Sequence, residues 1–193
     1  MAKDTRQRVL DMAAGLFQRQ GYNATGLNQV LAQSGAPKGS LYFHFPGGKE
    51  QLASEAVSLA GDRLGEDLRA VLASAPDVRT AIIQMCDLLA RNLEDSGFRE
   101  GCPVATVALE AASDSAQIRT ACDSVYTRWL DGLAGYLRSQ SVSSSAADRL
   151  AALILSSLQG ALLIARVKHD VSWVLTVSTE IAEVAARAVD GKE

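Results

Sequence analysis

SGAPKGSLYFHFPGGKE, residues 34–50, is the stretch that decides the fold of this chain. It holds three of the ten aromatic residues, Tyr42, Phe43 and Phe45, and one of the two histidines, His44. Pro37 suits the first position of a helix, where its missing N–H would be unpaired anyway. Pro46-Gly47-Gly48 ends that helix, so it runs from Pro37 to about His44. At 100° per residue, Leu41 and Phe45 share one side and form the inward face. Phe43 falls opposite, beside Gly39. Tyr42 and Lys38 lie on one flank, Ser40 and His44 on the other.

Working upstream, Val9, Ala13, Leu16 and Phe17 follow the i, i+4, i+7, i+8 pattern of a buried helix face. Asp4 is placed as its N-cap with Gln7 as capping-box partner. The helix should end near Gln20, with Gly21 in the left-handed C′ position. Thr25 is expected to cap a second helix through Gln33, with Leu27, Val30 and Leu31 inward and Ser34-Gly35 as the stop. Two short helices joined by a Gly-containing turn match a helix-turn-helix, whose second helix enters the DNA major groove.

On that reading Phe43 meets a thymine methyl and Gly39 lets the backbone approach the duplex. Tyr42, His44, Lys38 and Lys49 suit phosphate oxygens, and Thr25 starts a helix whose free N–H groups face another phosphate. The predicted DNA-binding set is Thr25, Lys38, Gly39, Ser40, Tyr42, Phe43, His44 and Lys49. Two other readings stay open here. The aromatics could fill a small core, or Ser40 and His44 could be a catalytic pair, although no third orienting residue or oxyanion motif accompanies them.

Downstream, helices are predicted over 49–74, 77–95 (capped by Asp77), 103–112 (opened by Pro103), 115–139, 146–168 and 171–189. A serine-rich linker spans 140–145. No run reads as a strand. The fold class is all-α: nine helices, forming an N-terminal three-helix helix-turn-helix domain at 1–48 and a larger helical ligand-binding and dimerisation domain at 49–193.

Composition agrees with helix: 48% of the 193 residues are apolar and only four are proline. Charge is uneven. Residues 1–50 carry six basic and three acidic side chains, the other 143 carry 13 and 19. A basic head on an acidic body fits a polyanion met by the head alone. Polar residues interrupt the most apolar stretch, 150–167, so no membrane span is expected. The charged N-terminus does not resemble a signal peptide. Cys86, Cys102 and Cys122 are widely spaced and read as thiols in a reducing cytoplasm. No metal site, cofactor motif or catalytic signature is found, neither G-x-S-x-G, G-x-G-x-x-G, H-E-x-x-H nor a Walker loop. The rival reading, a helical enzyme or storage protein with an incidental helix-turn-helix, would need such a cluster; a constitutive architectural DNA binder is a third.

The segment GYNATGLNQVLAQSGAPKGSLYFHFPGGKEQL resembles the N-terminal domain of tetracycline-repressor-type (TetR family) regulators. The resemblance rests on Ala13-Ala14, Leu16-Phe17, Gly21-Tyr22, Thr25, Val30-Leu31, Gly35, Lys38-Gly39, Leu41-Tyr42, His44-Phe45, Lys49 and Leu52. GCPVATVALEAAS is similar to the LmrA/YxaF-like branch. Gly26 stands where many relatives have a hydroxyl residue. The resemblance implies a homodimeric cytoplasmic repressor that binds a palindromic double-stranded operator and is released when a small hydrophobic effector occupies the C-terminal domain.

In the body, Val174, Val177, Ile181, Val184 and Ala188 repeat at 3-4-3-4 spacing, the pattern of a helix seam. The preceding helix is apolar nearly all round. Either one protomer covers it or a twin subunit does. The dimer interface is predicted at Leu158, Leu162, Val174, Val177, Ile181 and Val184. The effector pocket is predicted at Met85, Cys86, Leu89, Phe98, Cys102, Trp129, Leu133, Gln159 and Leu163. Ordinary core packing explains any one of these equally well.

Overall fold

The structure, a computed structural model, describes the backbone of residues 2–189 and 191 and side chains from residue 5 onward. Among the described residues it contains nine helices and no strand. They are α1 (Ala2–Ala24), α2 (Leu27–Ser34), α3 (Ser40–His44), α4 (Gly48–Ser74), α5 (Val78–Asp95), α6 (Ala105–Ala111), α7 (Ala116–Ser139), α8 (Ser144–Lys168) and α9 (Ser172–Val189).

The chain forms two compact units. One comprises Met1–Arg63 with Cys102–Val125, the other Leu64–Gly101 with Tyr126–Glu193. In the first, Val9, Ala13, Leu16 and Phe17 of α1 are buried with Val30 and Leu31 of α2, Leu41 and Phe45, and Leu52, Ala53 and Ala56 of α4. In the second, α5 packs on α8 and α9 around Ile82, Cys86, Leu93, Ile154, Leu158 and Val174, with Leu137 of α7 in the same core.

Several helix ends differ from expectation for local reasons. α1 starts at Ala2, ahead of Asp4, whose side chain lies outside the described residues. Gln7 donates forward to Asp11 at 3.1 Å. Gly21 has φ 83° and ψ 176°, a conformation open to glycine but not the left-handed helical one, and it breaks α1 near its end. α2 is capped by Gly26 in extended conformation, not by Thr25. Pro37 stands before α3: its carbonyl accepts from Ser40 N–H at 2.9 Å, making a tight turn that leads into the helix. Pro103 likewise precedes α6 instead of opening it. Asp77 caps α5 as expected, accepting from Thr80 N–H at 2.8 Å.

α8 is long and apolar enough, by length and composition, to cross a bilayer, with a mean hydropathy of 1.8. Its polar interruptions had argued otherwise. Ala147, Leu150, Ala151, Ile154, Leu158, Ala161, Leu162 and Ala165 are all buried in the body core, the placement of a core helix.

Candidate nucleic-acid interface

The second helix of the helix-turn-helix, α3, is five residues long and cannot hold its shape by its own hydrogen bonds. Two anchors hold it. Leu41 is 1% exposed and Phe45 is fully buried, each contributing about 1.5–3 kcal/mol through burial. The sequence missed a third element. The Arg6 guanidinium lies over the Phe45 ring, 5.0 Å from its centroid, and is ion-paired to Glu55 of α4. Gln51 extends the set: it accepts from Gly47 N–H (2.8 Å) and donates to Glu55 (2.9 Å). A charged network thus fastens the α3–α4 turn to α1 and α4.

With the anchors fixed, the rest of α3 points outward. Phe43 is 77% exposed and Tyr42 is 65% exposed. Lys38 and Gly39 are exposed; Ser40 and His44 are half-buried. Phe43 and His44 touch edge-to-face, ring centroids 4.9 Å apart. Within α3 the helical wheel matches the burial of Leu41 and Phe45 and the exposure of Tyr42 and Phe43, while Lys38 and Gly39 stand in the turn before the helix; the small-core reading of the three aromatics holds for Phe45 alone. The Ser40 hydroxyl donates to the Pro37 carbonyl at 2.7 Å, which engages it in the turn.

Two members of the predicted set behave otherwise. Thr25 is fully buried and its hydroxyl donates to the Gly21 carbonyl at 2.7 Å. It ties the α1–α2 turn and caps nothing. Lys49 leans inward: its Nζ sits 4.5 Å over the Tyr22 ring and 3.4 Å from the Asn23 carbonyl. Burial pulls its pKa below the usual lysine value, and the nearby Glu110 carboxylate opposes that shift. Glu110, from α6, accepts from Asn23 N–H at 2.7 Å. No local sequence signal marked this residue. Only its isolation as the one charged side chain in ATVALEA could have drawn attention.

Among the described residues no group of three or more His, Cys, Asp or Glu is placed to hold a metal ion. What the surface offers is two exposed aromatics on a helix anchored from behind, with Lys38 in the turn before it, a layout suited to base edges and phosphates. Comparison with known proteins gives the same answer. Residues 9–56 match the family described as bacterial regulatory proteins, tetR family. Residues 79–180 match the C-terminal domain of the LmrA/YxaF-like transcriptional regulators.

The chain belongs to the TetR family.

Two Bacillus subtilis proteins illustrate the relationship. The HTH-type transcriptional regulator LmrA is 34% identical over 95% of this chain and 98% of its own. The uncharacterized regulator YxaF is 35% identical over 92% and 93%. Among solved structures, a TetR transcriptional regulator from Chloroflexus aurantiacus is 28% identical, covers 96% of each chain and superposes with a TM-score of 0.82. This TetR-family protein is thus a transcriptional regulator that binds operator DNA.

The sequence-predicted body residues fall into different places. Leu158, Leu162, Val174 and Ile181, assigned to a subunit seam, lie in the protomer's own core at 7% exposure or less. Val177 is half-buried and Val184 is exposed. Of the predicted pocket, Met85, Cys86 and Leu133 lie in the body core, with Leu89 and Phe98 packed against it. Trp129 and Gln159 are half-buried, and Trp129 meets Tyr126 edge-to-face. Leu163 is 58% exposed. Cys102 belongs to the first compact unit, where its sulfur accepts from Ala105 N–H at 3.5 Å. Phe98 adopts φ 62° and stacks on His169, the α8 C-cap at φ 51°.

Proposed function

We propose that this TetR-family regulator is a ligand-responsive repressor that binds a palindromic operator as a homodimer and is released by a small hydrophobic effector. In that division of roles residues 1–48 read DNA and residues 49–193 bind effector and partner. The observation that carries the DNA-reading part is Phe43, an aromatic left in solvent on a helix whose neighbours two before and two after are buried. Phe43 contacts thymine methyls, Gly39 allows close approach, and Lys38, Tyr42, His44 and Lys49 contact phosphates.

Dimerisation is supported by the solvent side of α8. Leu153, Gly160, Leu163, Ile164 and Val167 are exposed and fall within about a 100° arc of the helix. With Val177 and Val184 of α9 they form the apolar seam for a second copy, in place of the core residues first assigned to it. Two heads related by two-fold symmetry then meet half-sites about 34 Å apart, or a multiple of that.

The effector reading is supported by the apolar chemistry of Met85, Leu89, Phe98 and Leu133, with Trp129 and Gln159 as polar-edged neighbours. Effector binding shifts α6 and α4 and alters the separation of the heads. A 100-fold preference for the released state supplies about 2.7 kcal/mol. Operator reading also places the protein in the cytoplasm, with the DNA.

The experiment is a binding titration on a duplex selected from a random pool by the protein itself. Neutralising about eight phosphates gives a log–log salt slope near −7. A flat salt response refutes groove docking, and a monomer in sedimentation analysis at micromolar concentration refutes the dimer.

A further inference from the structure

The α1–α2 turn carries an arrangement that DNA reading does not require. Glu110 is the one charged residue of α6, and its Oε2 accepts from the Asn23 backbone N–H at 2.7 Å. Gly21 makes room for it: a Cβ there would collide with the carboxylate, whose Cδ stands 2.7 Å from that position. Lys49 lies alongside, bonded to the same Asn23 through its carbonyl and resting on Tyr22. The Glu110 charge supports the protonated lysine against the burial that works to discharge it. The other acid nearby, Glu50, is engaged by the Ser115 hydroxyl.

A backbone N–H with an ammonium group beside it is the donor set that recognises a phosphate oxygen. In this chain a carboxylate already occupies it. We propose that Glu110 is an internal competitor for the DNA backbone, holding in the unbound chain the Asn23 amide and the charge of Lys49 that a DNA phosphate would otherwise take. The inference rests on the reading of Lys49 as a phosphate contact. Two anions cannot share one donor set without repulsion, so the carboxylate must move away or weaken the approach of the duplex. Because Glu110 sits on α6, any displacement of that helix changes how strongly it competes.

Glu110→Gln separates charge from shape, since the amide oxygen can still accept from Asn23. On the pool-selected duplex at low salt, E110Q is expected to bind about 3–10-fold more tightly, with the salt slope steeper by about 0.9, the increment for one more neutralised phosphate. Glu110→Ala gives up the acceptor as well and should change affinity in the same direction. In a Lys49→Gln background the gain should vanish. Unchanged or weaker binding by E110Q, or an unchanged slope, overturns the proposal and leaves Glu110 a clamp for the turn. If K49Q alone alters neither affinity nor slope, the phosphate reading of Lys49 fails and the competitor falls with it. If K49Q weakens binding while E110Q does not strengthen it, only the competitor falls.

Discussion

Phe43 and Phe45 are the same residue type two positions apart, and the structure gives them opposite tasks. Replacing each with alanine separates fold from recognition. Phe45 is fully buried, and its ring also carries the Arg6 guanidinium. Phe45→Ala leaves a cavity and strands that cation over a hole, a change that costs about 3–5 kcal/mol. At about 2–4 °C per kcal/mol for a chain of this size, the melting temperature should fall by roughly 6–20 °C. Phe43 is 77% exposed, touches His44 edge-on and supports nothing behind it. Phe43→Ala should leave stability within about 0.5 kcal/mol, so the melting temperature moves by no more than about 2 °C. Its effect belongs to DNA. A lost base contact worth about 1 kcal/mol per head becomes about 2 kcal/mol for two heads, or roughly 30-fold in affinity. Thermal melting and fluorescence anisotropy on one duplex measure both axes. If Phe43→Ala melts as early as Phe45→Ala, the helix is packed differently from the description above. If it melts normally and binds the duplex unchanged, Phe43 does not read bases.

Three further outcomes follow from local geometry. Gly21→Ala should destabilise the fold, because φ is 83° there and the new methyl would strike Glu110; Glu110→Ala in the same chain should recover only the part due to the collision, by thermal melting. Cys86 and Cys122 are pushed up to about 11, chiefly by burial, so their thiols stay neutral at pH 8 and iodoacetamide should label them only on the timescale of unfolding. The Asp77 carboxyl is held below its ordinary value, first by the Thr80 backbone N–H; a depressed folded pKa means its contribution is present above the unfolded value and lost as pH falls through the folded one, so Asp77→Ala should lower the melting temperature at pH 7 and make little difference near pH 2.

How much of this was legible depended on whether a residue's role is set by its neighbours in sequence or by a distant element. The inward pair Leu41 and Phe45, the outward Phe43, the Asp77 cap and the order of nine helices all follow from helical periodicity and capping chemistry, which act within a turn or two. α8 shows where periodicity stops helping. It is apolar nearly all round, so the pattern could not say which side faces the core. The assigned seam took Leu158 and Leu162, which are buried in the protomer, and the assigned pocket took Leu163, which faces solvent. In a helix, neighbours in sequence stand 100° apart, so a reading one position off trades inside for outside. Thr25 failed for a different reason. It is a residue type that caps helices and it stands just before one, yet Gly26 supplies the cap and the hydroxyl turns back to Gly21. That choice became available because Gly21 takes a backbone conformation closed to other residues, which in turn leaves room for a carboxylate from α6, 89 positions along the chain. Arg6 on Phe45 and Glu55 is the same kind of contact, the paired charges standing 49 positions apart. Each is a single polar side chain arriving from a remote helix. Burying the apolar faces decides which helices meet; the meeting then decides which charges find each other, and no window of sequence contains both partners.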